Sequence, residues 1–161
     1  MIGKWEVSKL ETKSPAQSER GFFFVCAVNS PVQGRQSRGI IMISSLLLRV
    51  STVLLLCGMI LGITMGIREN FSLAPAHAHL NLIGFVLMFL VGLYYRIVPA
   101  AGKGPLAMIQ ATLHIAGALV FPFGIGVADL GGTPMFAIIG SLIVLTAMAL
   151  FAFIVFRTVA A

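Results

Sequence analysis

Apolar residues in this chain come in long unbroken blocks rather than at alternating positions. Four blocks stand out, at about Ile43–Ile67, Ser72–Tyr95, Leu106–Ile125 and Pro134–Phe156, and each supplies the roughly 20 residues that a tilted helix needs to cross a bilayer. Barrel strands alternate apolar and polar positions over pieces of about ten residues, whereas these blocks are apolar on nearly every side. Helices satisfy their own backbone polar groups in lipid, so the pattern predicts an all-α polytopic membrane protein built as a four-helix bundle. The block ends carry matching signals: Asn70 or Ser72 as a cap, Pro75 in the first turn of the second helix, and Thr133 capping the fourth after the turn "DLGGTP". Pro122 is expected to kink or loosen the third helix.

Residues 1–41 read differently. They are polar, include Pro15, Pro31, Gly34 and Gly39, and hold three of the five acidic residues. Their one apolar piece, "GFFFVCAV", is too short to span and lacks the flanks of a cleaved signal. This composition predicts a disordered cytoplasmic leader. The alternative is that the functional chain starts at Met42, which makes residues 42–161 the four-helix domain and 1–41 translated upstream sequence.

Composition agrees with a membrane chain: 58% of the 161 residues are hydrophobic and 10% charged, with a mean hydropathy of +1.02. The formal charge of +6 does not point to nucleic acid. Six of the eleven Lys/Arg precede Met42, and Arg49, Arg68, Arg96, Lys103 and Arg157 lie scattered at helix ends. Placing the N-terminus in the cytoplasm puts all of these except Arg68 inside, as the positive-inside rule requires, so both termini are expected to be cytoplasmic in a bacterial-type inner membrane. Tyr94 and Tyr95 then form an aromatic anchor at the inner interface. Cys26 and Cys57 stand alone, and Cys57 is expected to be an inert packing residue.

In lipid, close packing of helices depends on small side chains. Gly58, Gly62 and Gly66 recur every four residues in the first block, a double GxxxG stripe that predicts a close helix neighbour. Candidate chemistry is confined to three imidazoles, because ionisable groups inside membranes are functional candidates by default. His77 and His79 flank one residue, so a helix turns about 200° between them and points the rings to opposite sides at nearly one depth. Asn81, Gly84 and Met88 follow His77, a polar and small line with room for something flat. Ile83, Val86 and Leu90 follow His79 as an apolar wall. His114 lies mid-span in the third block, with Gln110 one turn before it and able to fix its tautomer. From the outer edge His79 is about 12 Å deep and His114 about 18 Å deep, a difference within the uncertainty of the span ends, which leaves a shared metal open.

The segment "HAHLNLIGFV", His77 to Val86, resembles the helix that carries His-x-His in the catalytic subunits of haem–copper oxidases and nitric oxide reductases. The resemblance covers ten to twenty residues and extends weakly to "GLYYR" at Gly92–Arg96. It implies that His79 is an axial ligand of a low-spin haem b and that His77 matches the ligand of a second, high-spin haem. Asn81 is expected to hydrogen-bond across helices, with support of an imidazole or a propionate as the alternative, and Arg68, beside Glu69, to be a solvated loop cation, with pairing of haem propionates as the alternative. The resemblance also implies an oxidoreductase-like role in electron transfer or gas binding, with an electron-transfer partner. The family's subunit has twelve helices in three arcs of four, and more histidines for the second axial bond and for copper. Either most of that chemistry is absent here, or several copies assemble; by analogy with the family a homotrimer restores twelve helices, with His114 or a neighbour's histidine completing the coordination.

Two other readings stay open. One is a copper or zinc site made by His77, His79 and His114; the other is a structural membrane subunit whose imidazoles join helices. The spans contain no Asp or Glu, so carboxylate proton relays are missing. The chain also has no GxSxG, HExxH, Walker lysine or CxxCH, so hydrolase, nucleotide and covalent-haem chemistry have no support.

Overall fold

The computed structural model describes residues 31–159, and among these every regular element is helical. Contacts divide the chain into two units, Met1–Arg35 and Gln36–Ala161, and the membrane-length helices belong to the second. Helix α1 is Pro31–Arg68, α2 is Ala74–Ile97, α3 is Pro105–Asp129 and α4 is Met135–Val159. Each contains at least 24 residues long and apolar enough to cross a membrane, or about 36 Å of helix against a hydrocarbon core of about 30 Å. By length and composition the chain is a multi-pass membrane protein. Helix α1 begins at Pro31, inside the segment expected to be a leader; residues 1–30, with Cys26 and most of that expected leader, lie outside the described residues.

The turn after α1 is a Schellman end. Glu69 takes a left-handed φ of 49°, its amide returns to the Gly66 carbonyl at 3.3 Å, and the Asn70 amide returns to Met65 at 3.2 Å. Asn70 caps a turn rather than α2: its Oδ1 accepts from the Ser72 amide at 3.0 Å and from the Ser72 hydroxyl at 2.7 Å. Pro75 occupies the first turn of α2 as expected, and the Thr133 hydroxyl oxygen accepts the Met135 amide at 3.4 Å at the start of α4. Helix α3 runs without a break through Pro122.

Glycines set the closest approaches. Along α1 and α2 the contacts pair Gly92 with Leu47 and Leu48, Gly84 with Leu54, Gly58 with Asn81 and Gly62 with His77, which makes the pair antiparallel. Along α3 and α4 they pair Gly117 with Val144, Gly124 with the backbone at Ala137 and Gly140 with the backbone at Phe121. Leu47, Met88, Val91, Tyr95, Ala107 and Ala118 are buried between the helices. Large apolar side chains such as Val53, Ile60, Leu142 and Leu145 point outward, as a lipid-facing surface requires. Cys57 shares that outward surface and is not the packing residue expected, because the α1 face that meets α2 is taken by Leu54, Gly58 and Gly62.

Candidate functional site

Helix α2 carries two of the imidazoles in its first turns. Between His79 and Met88 it departs from regular α geometry: Leu80–Leu87 winds as a π-helix, with wider i→i+5 turns. Such wide turns disturb the ordinary carbonyl ladder and are found often at functional positions. One carbonyl of this stretch, that of Ile83, receives the Nε2–H of His114 across the α2–α3 interface at 3.3 Å. The His114 ring is fully enclosed, and its Nδ1 has no hydrogen-bond partner.

His77 points at α1. A Cβ placed on Gly62 would stand 2.8 Å from the His77 Cε1, so the glycine is what makes room for the ring. Asn81, one turn on, donates from Nδ2 to the His77 carbonyl at 3.1 Å and lies 3.3 and 3.4 Å from the two ring nitrogens. Its Oδ1 faces Gly58 and has no hydrogen-bond partner. The space expected beside His77 is therefore filled by α1. Met88 on the same line is fully buried and Gly84 lies against Leu54. The third glycine of the stripe, Gly66, has nothing within 4 Å of where its side chain would be.

His79 has a different setting. Its Nδ1 donates to the Pro75 carbonyl one turn back at 2.8 Å, which fixes the tautomer and leaves Nε2 with its lone pair. Phe121 of α3 meets the ring edge-on, with centroids 5.0 Å apart. Of the apolar wall expected below it, Ile83 is buried beneath His114, while Val86 and Leu90 are 40% and 54% exposed. The wide turns of α2 and the approach of α3 at Ile83 separate that residue from the other two.

Gln110 does not hold His114. Its Oε1 accepts instead from the Tyr95 hydroxyl at 3.0 Å, and its Nε2 is buried without a partner. Tyr95 is fully buried, so it is a core residue and not the interfacial anchor expected. Tyr94 is half-buried and pairs with the Thr158 hydroxyl of α4 at 2.9 Å. The Tyr95–Gln110 bond was not foreseen, although a lone glutamine in an apolar span was its signal.

Among the described residues no three His, Cys, Asp or Glu side chains gather in a way that could hold a metal ion. His77, His79 and His114 thus face three different surroundings: the α1 glycines, an outer edge beside Phe121, and the sealed α2–α3 interface. Arg68 lies apart, exposed at the end of α1. Comparison with protein-family models, curated proteins and solved structures returned no match.

Proposed function

We propose that this chain is a haem b-binding protein of a bacterial-type inner membrane, related to the catalytic subunits of haem–copper oxidases, with cytoplasmic termini and a role in electron transfer or small-gas binding. The observation that supports this best is the His79 ring. An imidazole whose Nδ1–H is held by a carbonyl is the usual arrangement behind a metal-ligating Nε2, because the outer bond orients the ring and raises its basicity. His79 has that bond, and its ring is only partly covered.

The residues present fit one such group at the edge of α2. His79 would hold the iron and Phe121 would fix the ring plane. The bound group would supply a one-electron iron centre; the protein supplies orientation and an apolar surround. A second haem on His77 does not fit, since α1 fills that face. His114, sealed and bonded to Ile83, serves the helix interface. Asn81 supports His77 and does not reach a propionate. With His77 and His114 engaged between helices, a further ligand would have to be the His79 of a neighbouring copy in a homo-oligomer. The engagement of His77 and His114 between helices favours the structural reading for those two imidazoles alone.

The test is the visible spectrum of variants loaded with haem b. His79→Ala abolishes the low-spin bands, while His77→Ala and His114→Leu keep them. A full low-spin spectrum in His79→Ala overturns the assignment.

A further inference from the structure

A large cavity of about 690 Å³ opens between α1, α2 and α3, lined by Leu61, Leu73, Ala76, Leu80, Phe123 and Gly126 among others, all apolar. None of the three histidines lines it, so it offers no nitrogen to an iron and is separate from the His79 edge. Leu61, Leu73 and Leu130 also line a second cavity of about 350 Å³, whose remaining walls are Thr64, Met65, Arg68, Asn70 and Ser72. The two spaces share walls, an apolar slot with a polar mouth.

Hydrogen-bond bookkeeping defines what the mouth recognises. The Thr64 hydroxyl proton goes to the Leu61 carbonyl at 2.8 Å, and the Ser72 hydroxyl proton to Asn70 Oδ1 at 2.7 Å. Asn70 Oδ1 is occupied twice, by Ser72 N–H and Oγ–H. The Arg68 guanidinium and the Asn70 Nδ2 amide remain as donors, both exposed. Arg68 lines the cavity and neighbouring Glu69 does not. A cation and an amide donor over an apolar slot complement an anion that carries a long apolar chain.

We infer that this groove binds one anionic phospholipid, with an acyl chain between Leu61, Ala76 and Gly126 and the phosphodiester against Arg68 and Asn70. A neutral quinone would leave the guanidinium uncompensated, so the charge at the mouth selects the phospholipid. The site does not depend on the haem reading.

Native mass spectrometry of the full chain, released from mixed micelles containing equal phosphatidylglycerol and phosphatidylcholine, tests the inference. Retained lipid is expected to be predominantly phosphatidylglycerol, and Arg68→Gln reduces that preference by about tenfold, as the loss of one charge-assisted contact does. Gly126→Leu fills the slot and loses both lipids, whereas Gly126→Ala keeps them, because its Cβ would meet Leu73 at only 3.6 Å. Equal retention of the two lipids by the wild type, or an undiminished preference in Arg68→Gln, overturns the inference. So does displacement of phospholipid by decylubiquinone at equal concentration, or a lipid-free dimer as the sole species.

Discussion

The His77 ring rests on Gly62, with the Cε1 atom 2.8 Å from where a Cβ of that glycine would lie. The next glycine of the stripe toward the middle of α1, Gly58, meets Asn81 in the same way, and Gly66 meets nothing. Replacement by leucine therefore separates three apparently equivalent positions. Gly62→Leu and Gly58→Leu should each lower stability by about 1–3 kcal/mol through overpacking, and Gly66→Leu should be close to neutral. Thermal unfolding in mild detergent, followed by circular dichroism, checks the order.

Backbone neighbours are less forgiving than side chains. At Gly124 the atoms that a new Cβ would meet are backbone atoms of Phe136 and Ala137, and at Gly140 they are the N, Cα and Cβ of Phe121, whereas at Gly62 they belong to a ring that can turn. Gly124→Ala and Gly140→Ala should thus cost more than Gly62→Ala, toward or above the upper end of about 1–3 kcal/mol. The same unfolding measurement ranks them.

Tyr95 and Gln110 form a buried pair in which the hydroxyl donates to the amide oxygen. Tyr95→Phe leaves a glutamine with neither end satisfied and should cost about 1–3 kcal/mol. Combining it with Gln110→Leu removes both partners, so the double variant should be more stable than the sum of the single changes. A double-mutant cycle in detergent reads the coupling.

The spans were legible in the sequence because bilayer thickness fixes helix length, and the expected ends fall within about four residues of those observed except at the start of α1, which begins at Pro31 rather than Ile43. The depth estimates held a further clue. A difference of about 6 Å between His79 and His114 is four residues of helix, and the residue that His114 meets, Ile83, is four past His79. The GxxxG stripe announced a close neighbour for α1 but neither that it is α2 nor that Gly66 drops out of the contact, since the crossing carries α1 past the start of α2. Side-chain destinations were less legible. Gln110 lies on the His114 face of its own helix, yet Tyr95 from α2 takes its oxygen, because tertiary proximity overrides i,i+4 proximity. The faces drawn below His79 assumed a regular helix, and the π turns at Leu80–Leu87 broke that assumption.

His114 supplies a contrast to His79. With its ring sealed and Nε2 given to Ile83, His114→Leu should destabilise the α2–α3 contact by about 1–3 kcal/mol through the orphaned carbonyl while leaving haem affinity within about twofold, a shift of about 0.4 kcal/mol. Haem titration monitored at the Soret band, run beside an unfolding curve, distinguishes the two effects.

The claim that the free Nε2 of His79 is an iron ligand is tested most directly by adding haem b to the purified wild-type chain and recording the reduced visible spectrum. The account predicts a saturable shift to a sharp low-spin α-band with an intense Soret band. A spectrum that stays that of haem in detergent alone, at any ratio of haem to protein, would contradict it.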